Sequence, residues 1–224
     1  MRVNVKGIEL FYNVSGEGPP IVLLHGNGQD HTIFRVLIKK LSVDYTVYAI
    51  DSRDHGKSSK VKRLDYMSKM EDVAEFIHIL EIHQPIVYGF SDGGIIGLLL
   101  AIYHPDLLSK LIISGANINP DGVKNFFMIL MRISYFFTRS NKLKLMITQP
   151  DIPEEDLYKI TTPTLVLAGH RDVIKEEHTK LIARSIENSV LKILPGESHT
   201  SYVLHNEKLY GIIKSFLGEC FNCV

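Results

Sequence analysis

The sequence predicts an α/β fold, a mostly parallel central sheet with helices on both faces. Three observations predict it. Short continuous apolar runs recur along the chain, as expected of strands buried on both faces. Amphipathic helical stripes lie between them. A Gly-x-Ser-x-Gly turn, Gly89-Phe90-Ser91-Asp92-Gly93, joins one apolar run to a helix. Buried strands alternating with helices are the pattern of a sheet wound on both sides.

The elements follow in order. Residues 8–14 alternate partly and end at the turn-forming Ser15-Gly16-Glu17-Gly18-Pro19-Pro20. Residues 21–24, 45–50, 86–88, 111–113, 164–168 and 190–194 read as buried strands. Ile33, Phe34, Leu37, Ile38 and Leu41 make one helical stripe. Met70, Val73, Ala74, Ile77 and Leu80 make a second, and Leu209, Ile212, Ile213 and Phe216 a third. Residues 94–103 are apolar nearly all round, so that helix should be central, with His104-Pro105 stopping it.

One stretch breaks the alternation. Residues 117–156 separate two strand candidates where a short crossover would suffice. They carry the apolar patch Phe126-Phe127-Met128-Ile129-Leu130-Met131, then Tyr135-Phe136-Phe137, and are punctuated by Pro120, Pro150 and Pro153. The expected organisation is one core in two parts, 1–116 and 157–224, with a small helical lid at 117–156. There are no repeats and no low-complexity segment.

Composition narrows the function classes. The 224 residues suffice for one sizeable core. Lys plus Arg equals Asp plus Glu at 25 each, so no global field recruits nucleic acid. The two cysteines, Cys220 and Cys223, supply half of a four-cysteine zinc site and lack a redox context, so the pair reads as incidental. Cysteine usage fits a reducing compartment. The N-terminus has no apolar signal region, no apolar run reaches transmembrane length, and the C-terminal Cys223-Val224 lacks prenylation spacing. A cytoplasmic location is expected, as monomer or homodimer.

The chemistry centres on Ser91. A serine hydroxyl is a weak nucleophile and needs an adjacent base, which needs a carboxylate to orient it. In elbows of this kind the partners follow in the order Ser, Asp or Glu, His. Here Asp172 comes just past the strand at 164–168, and His199 just past the strand at 190–194. All three candidates follow the C-terminal ends of strands, the edge where open α/β sheets bind ligands. The competing readings are a helix N-cap for Ser91 and a loop carboxylate or cap for Asp172. Among the ten histidines, His205 is the nearest rival to His199, but it falls inside an expected helix. Asn117 and Asn119 occupy the other position where an acid could stand. The oxyanion donors expected are the backbone N–H groups of Asp92 and of Asn27, the latter in His25-Gly26-Asn27-Gly28 after the strand at 21–24. His25 is expected to orient that loop, with His55 and His170 in loops near the mouth. No metal-ligand spacing occurs, and Gly26-Asn27-Gly28 is no dinucleotide fingerprint, so neither metal nor cofactor is expected.

These residues resemble the α/β-hydrolase superfamily over almost the whole chain. His25-Gly26 resembles its His-Gly oxyanion loop, residues 51–58 its Asp-x-Arg-Gly-x-Gly-x-Ser segment, and Tyr103-His104-Pro105 the usual end of the helix after the elbow. The look-alikes are lidded esterases, proline iminopeptidases, carbon–carbon bond hydrolases and cofactor-free perhydrolases. The resemblance implies Ser91, His199 and Asp172 as the triad. Asp54 departs from the family's glycine, though Asp tolerates the left-handed conformation, and Ser198 stands where many relatives have glycine.

The expected activity is hydrolysis of small apolar esters through an acyl-enzyme. The same triad also serves carbon–carbon, amide or iminopeptide hydrolysis, or a slow-turnover ligand receptor. Phe126, Phe127 and Met131 are expected to line the substrate pocket. Because Lys124, Arg132, Arg139, Lys142 and Lys144 accompany the lid aromatics, contact with a membrane surface is the second reading of that segment.

Overall fold

The computed structural model describes residues 1–204 and 206–218, so His205, Cys220 and Cys223 lie outside the described residues. The strands are β1 (Arg2–Val5), β2 (Ile8–Ser15), β3 (Pro20–Leu24), β4 (Thr46–Ile50), β5 (Ile86–Phe90), β6 (Lys110–Ser114), β7 (Thr164–Arg171) and β8 (Ser189–Ser198). They form one sheet in the order β1-β2-β4-β3-β5-β6-β7-β8. The first two pairings are antiparallel, and every pairing from β4–β3 to β7–β8 is parallel. The α/β sheet expected from the apolar runs is therefore present.

The sheet is buried on both sides because successive strand side chains point to opposite faces. Val22, Leu24, Val87, Leu111 and Ile113 pack on one face with helices α2 (Tyr66–Ile79) and α3 (Asp92–Tyr103). Ile21, Leu23, Tyr88, Ile112 and Leu165 pack on the other with α1 (Arg35–Leu41) and with Leu209, Ile213 and Phe216 of the C-terminal helix, Lys208–Gly218. α3 is the central helix, buried from Asp92 to Ile102 as its unbroken apolar pattern predicts.

Three differences from the sequence reading have physical causes. β1 adds a hairpin onto β2 through Lys6 and Gly7, both at positive φ. Its four residues carry no apolar run, and Lys6 is not a usual residue for such a turn. β7 and β8 run past residues 168 and 194, because backbone pairing continues through a bulge between Gly169 and Arg171. The added His170 and Arg171 are exposed and so leave no apolar signal. The C-terminal helix begins only at Lys208, not upstream of residue 205.

Between β6 and β7 the chain runs through α4 (Asn125–Thr138), α5 (Asn141–Thr148) and α6 (Glu154–Leu157). α4 buries only Met128, which packs with Val123 and Ile174. After β7 comes α7 (Glu176–Arg184), which makes the C-terminal helix α8. His25, Ser91, Asp172 and His199 each stand one residue beyond the end of a strand, namely β3, β5, β7 and β8. Parallel strands of one sheet thus deliver four polar groups, two of them imidazoles, to one edge.

Candidate active site

The elbow is built by close backbone approach. Ser91 has φ 53° and ψ −114°, outside the ordinary regions for an L-residue. It is held there by its N–H donating to Ser114 O at 2.8 Å and by its carbonyl accepting from Gly94 and Ile95 N–H. A Cβ at Gly89 would collide with the Gly93 carbonyl, and one at Gly93 with the Leu24 carbonyl. Only glycine lets strand and helix meet this closely. Ser91 occupies the N-cap position of α3, yet its side chain makes no capping hydrogen bond. The hydroxyl is turned instead to the histidine.

The structure brings Ser91, His199 and Asp172 together. His199 Nε2 lies 3.1 Å from Ser91 Oγ, and His199 Nδ1 lies 2.6 Å from Asp172 Oδ1. Asp172 is buried, and Oδ1 also accepts the Ile174 N–H at 3.0 Å. An Nδ1–H donated to that carboxylate leaves Nε2 free to accept a proton from the serine, the arrangement required of a general base. Phe90 packs against the His199 ring with centroids 4.9 Å apart. Gly115, at φ 59°, makes room for the ring, since a Cβ there would lie 2.7 Å from His199 Cε1. Asn117 is not a partner of the histidine: it donates to Asn119 O.

The two expected oxyanion residues stand beside the serine, and both line the same cavity. Asp92 is the first residue of α3, so its N–H belongs to the donors a helix leaves without an internal acceptor. The helix N-terminus adds a positive potential there. A Cβ at Gly26 would lie 3.2 Å from Ser91 Cβ, and the Asn27 side chain donates to Lys142 O at 3.1 Å. His25 holds this loop: its ring bonds Gly26 O through Nδ1 at 2.7 Å and accepts Ser52 N–H through Nε2 at 3.0 Å. Burial lowers its pKa to about 4, so the ring stays neutral near pH 7.

A network unforeseen in the sequence surrounds the Asp92 side chain. Its carboxylate accepts from Tyr66 OH at 2.8 Å and Lys69 Nζ at 2.9 Å, all three residues buried. Burial and the adjacent carboxylate hold the Tyr66 phenol protonated well beyond its usual range. Tyr66 and Lys69 lie on α2, and no local spacing links them to residue 92. His55 also differs from expectation. It is buried, not at the mouth, with its ring 5.2 Å from that of His25. Burial first, then the Lys69 charge, lowers its pKa to about 3. Asp54 sits at φ 63°, the conformation its tolerance of the left-handed region allows.

The cavity above Ser91 and His199 has a volume of about 340 Å³. Phe127, Leu130 and Met131 of α4, with Val123 and Ile174, give it an apolar wall. Phe126 is not on that wall and is 66% exposed, because one residue's rotation along α4 turns it outward. The nearest approach to a metal-ligand cluster among the described residues is Asp30, His31 and Asp51. Asp51 there is already committed, accepting from His31 N–H and from Lys57 N–H.

Known proteins share this architecture. Human serine hydrolase BPHL is 26% identical over 96% of this chain and 85% of its own length. A pimeloyl-[acyl-carrier protein] methyl ester esterase from Vibrio atlanticus is 30% identical over 46% of this chain, matching 38% of its own length. The crystal structure of the enol-lactonase from Burkholderia xenovorans superposes with a TM-score of 0.82 at 20% identity, covering 98% of this chain and 100% of the other. The family model described as alpha/beta hydrolase fold matches residues 19–137, the span that holds the His25–Gly28 loop and the Ser91 elbow. With an eight-stranded, mostly parallel sheet and a strand–turn–helix elbow in the matching places, the chain belongs to the alpha/beta hydrolase fold family.

Proposed function

We propose that this hydrolase cleaves small, largely apolar carboxylic esters through an acyl-enzyme on Ser91. The observation that carries the reading is the continuous contact from Ser91 Oγ through the His199 ring to Asp172, at the floor of an apolar-walled cavity. His199 takes the serine proton as Oγ attacks the carbonyl carbon. Asp172 stabilises the imidazolium that forms. The N–H groups of Asn27 and Asp92 receive the oxyanion, each worth about 3 kcal/mol at the transition state. The imidazolium then protonates the departing alkoxide. Water, deprotonated by the same histidine, releases the acid and restores Ser91.

The cavity volume is near the lower end for small-molecule sites, which supports a short acyl group or a compact ester. Phe127 and Met131 form its apolar wall in this reading, and residues 117–156 act as its cover. The esterase name of the Vibrio atlanticus relative supports the ester class. A fluorophosphonate probe, followed by peptide mapping, tests the nucleophile, and turnover of p-nitrophenyl acetate, butyrate and octanoate tests the substrate. Labelling at Ser91 with decline toward octanoate is expected. Labelling elsewhere, or equal turnover by Ser91→Ala, overturns the reading.

A further inference from the structure

We propose that the outer face of α4 docks on an anionic lipid surface. α4 carries two apolar faces. At 100° per residue, Phe127, Met128 and Met131 share one side, and Met128 is buried while Phe127 and Met131 line the cavity. Phe126, Ile129, Ile133, Phe136 and Phe137 fall within a sector of about 120° on the opposite side. These five are 52% to 77% exposed. Isolated exposed apolar residues are ordinary, but a contiguous stripe on one helix marks a contact surface.

The charges around the stripe select the occupant. Residues 122–150 contain five Lys or Arg and no Asp or Glu. Arg139 lies over the Tyr135 and Phe136 rings, 5.8 and 5.5 Å from their centroids. On α5, which follows α4 in the chain, Lys144 joins Lys62 and Arg63 in lining a hollow of about 320 Å³ whose wall includes no carboxylate. The Asn141 side chain fastens the two sides of that hollow by donating to Lys62 O at 3.0 Å. Among the described residues, Lys62, Arg63, Lys124, Arg132, Arg139 and Lys144 form no ion pair with a carboxylate. A second copy of the chain would press the same cations against one another. A bilayer bearing anionic headgroups accepts both the aromatics and the charge. No helix among the described residues is long and apolar enough to cross a membrane, so the contact is peripheral. Leu130, exposed and also on the cavity wall, would bring the cavity close to the lipid. The surface is defined without reference to the reaction, so it stands or falls separately from the proposed esterase activity.

The test is cosedimentation of the intact chain with sucrose-loaded vesicles, of phosphatidylcholine alone or with one third phosphatidylglycerol. Binding to the anionic vesicles is expected, with release at high salt. Phe136→Ser with Phe137→Ser should weaken it about tenfold or more. Arg132→Glu with Lys144→Glu should weaken it about 25-fold or more, each lost cation contributing about fivefold and each new carboxylate adding repulsion. Thermal melting of both variants checks that they remain folded. Failure to bind anionic vesicles, equal binding to neutral ones, or undiminished binding by the folded serine variant overturns the proposal. A light-scattering dimer that the serine variant dissociates also overturns it, by assigning the face to a second copy.

Discussion

The edge of the sheet around Ser91 and the outer side of α4 are organised in opposite ways. At the sheet edge, each polar group is fixed by several partners: Asp172 by His199 and Ile174, Asp92 by Tyr66 and Lys69, His25 by Gly26 and Ser52. On α4, large apolar side chains stand in solvent with one buried residue beneath them. The first region is rigid enough to define a reaction. On the proposed reading, the second admits substrate on its inner side and docks on lipid with its outer side. Reaction class and substrate are thus written in different parts of the chain, under different physical constraints.

The largest expected effect tests the over-determined region. Ser91→Ala should lower kcat by roughly 10⁴–10⁶-fold while leaving the melting temperature near the parent value. A residual rate within tenfold of the parent would remove the distinction between the two regions.

Next in size is the pair beneath the elbow. Lys69→Met strands the Asp92 carboxylate in a buried site, at a cost of about 3–5 kcal/mol in urea-unfolding stability. Adding Asp92→Asn to that variant should recover a large part, since the uncompensated charge is gone. An unchanged midpoint for Lys69→Met would show the pair to be indifferent to stability.

A pH effect of about 3 kcal/mol follows from His25, whose folded pKa of about 4 lies below its ordinary 6.5. Between those values the unfolded chain binds the extra proton and the folded chain does not. Stability from this group is therefore full above pH 6.5 and falls as pH drops toward 4. His55 steepens the same slope and extends it toward pH 3. Unfolding midpoints measured from pH 7 to 4 should decline, and a flat profile would contradict both assignments.

The smallest effect compares neighbours on α4. Phe127→Ala or Met131→Ala should reduce kcat/KM for butyrate over acetate esters by about 10-fold, mainly through KM. Phe126→Ala, one position away and turned outward, should leave that ratio unchanged. Equal effects at 126 and 127 would erase the two-faced reading of the helix.

What the sequence disclosed follows the same division. The elbow, the partner order and the strand ends were legible because each depends on local chemistry: glycines at a close approach, buried β-prone runs, polar residues just past them. The Tyr66–Asp92–Lys69 network was not legible, since it forms only when α2 packs on α3. Gly115 shows no motif, and its role depends on a histidine 84 residues later. On α4, composition says apolar everywhere. Phe126 and Phe127 are identical in type, and only helical rotation separates a solvent-facing ring from a cavity wall.

The sequence separation of 108 between Ser91 and His199 carries a kinetic consequence. The two side chains meet only when β6, β7 and β8 all stand in place beside β5. Such distant parallel pairings are slow to form, because loop closure precedes any gain from contact. In refolding from urea, helical ellipticity should return ahead of ester turnover. The recovery of turnover then serves as a clock for the last strand to join.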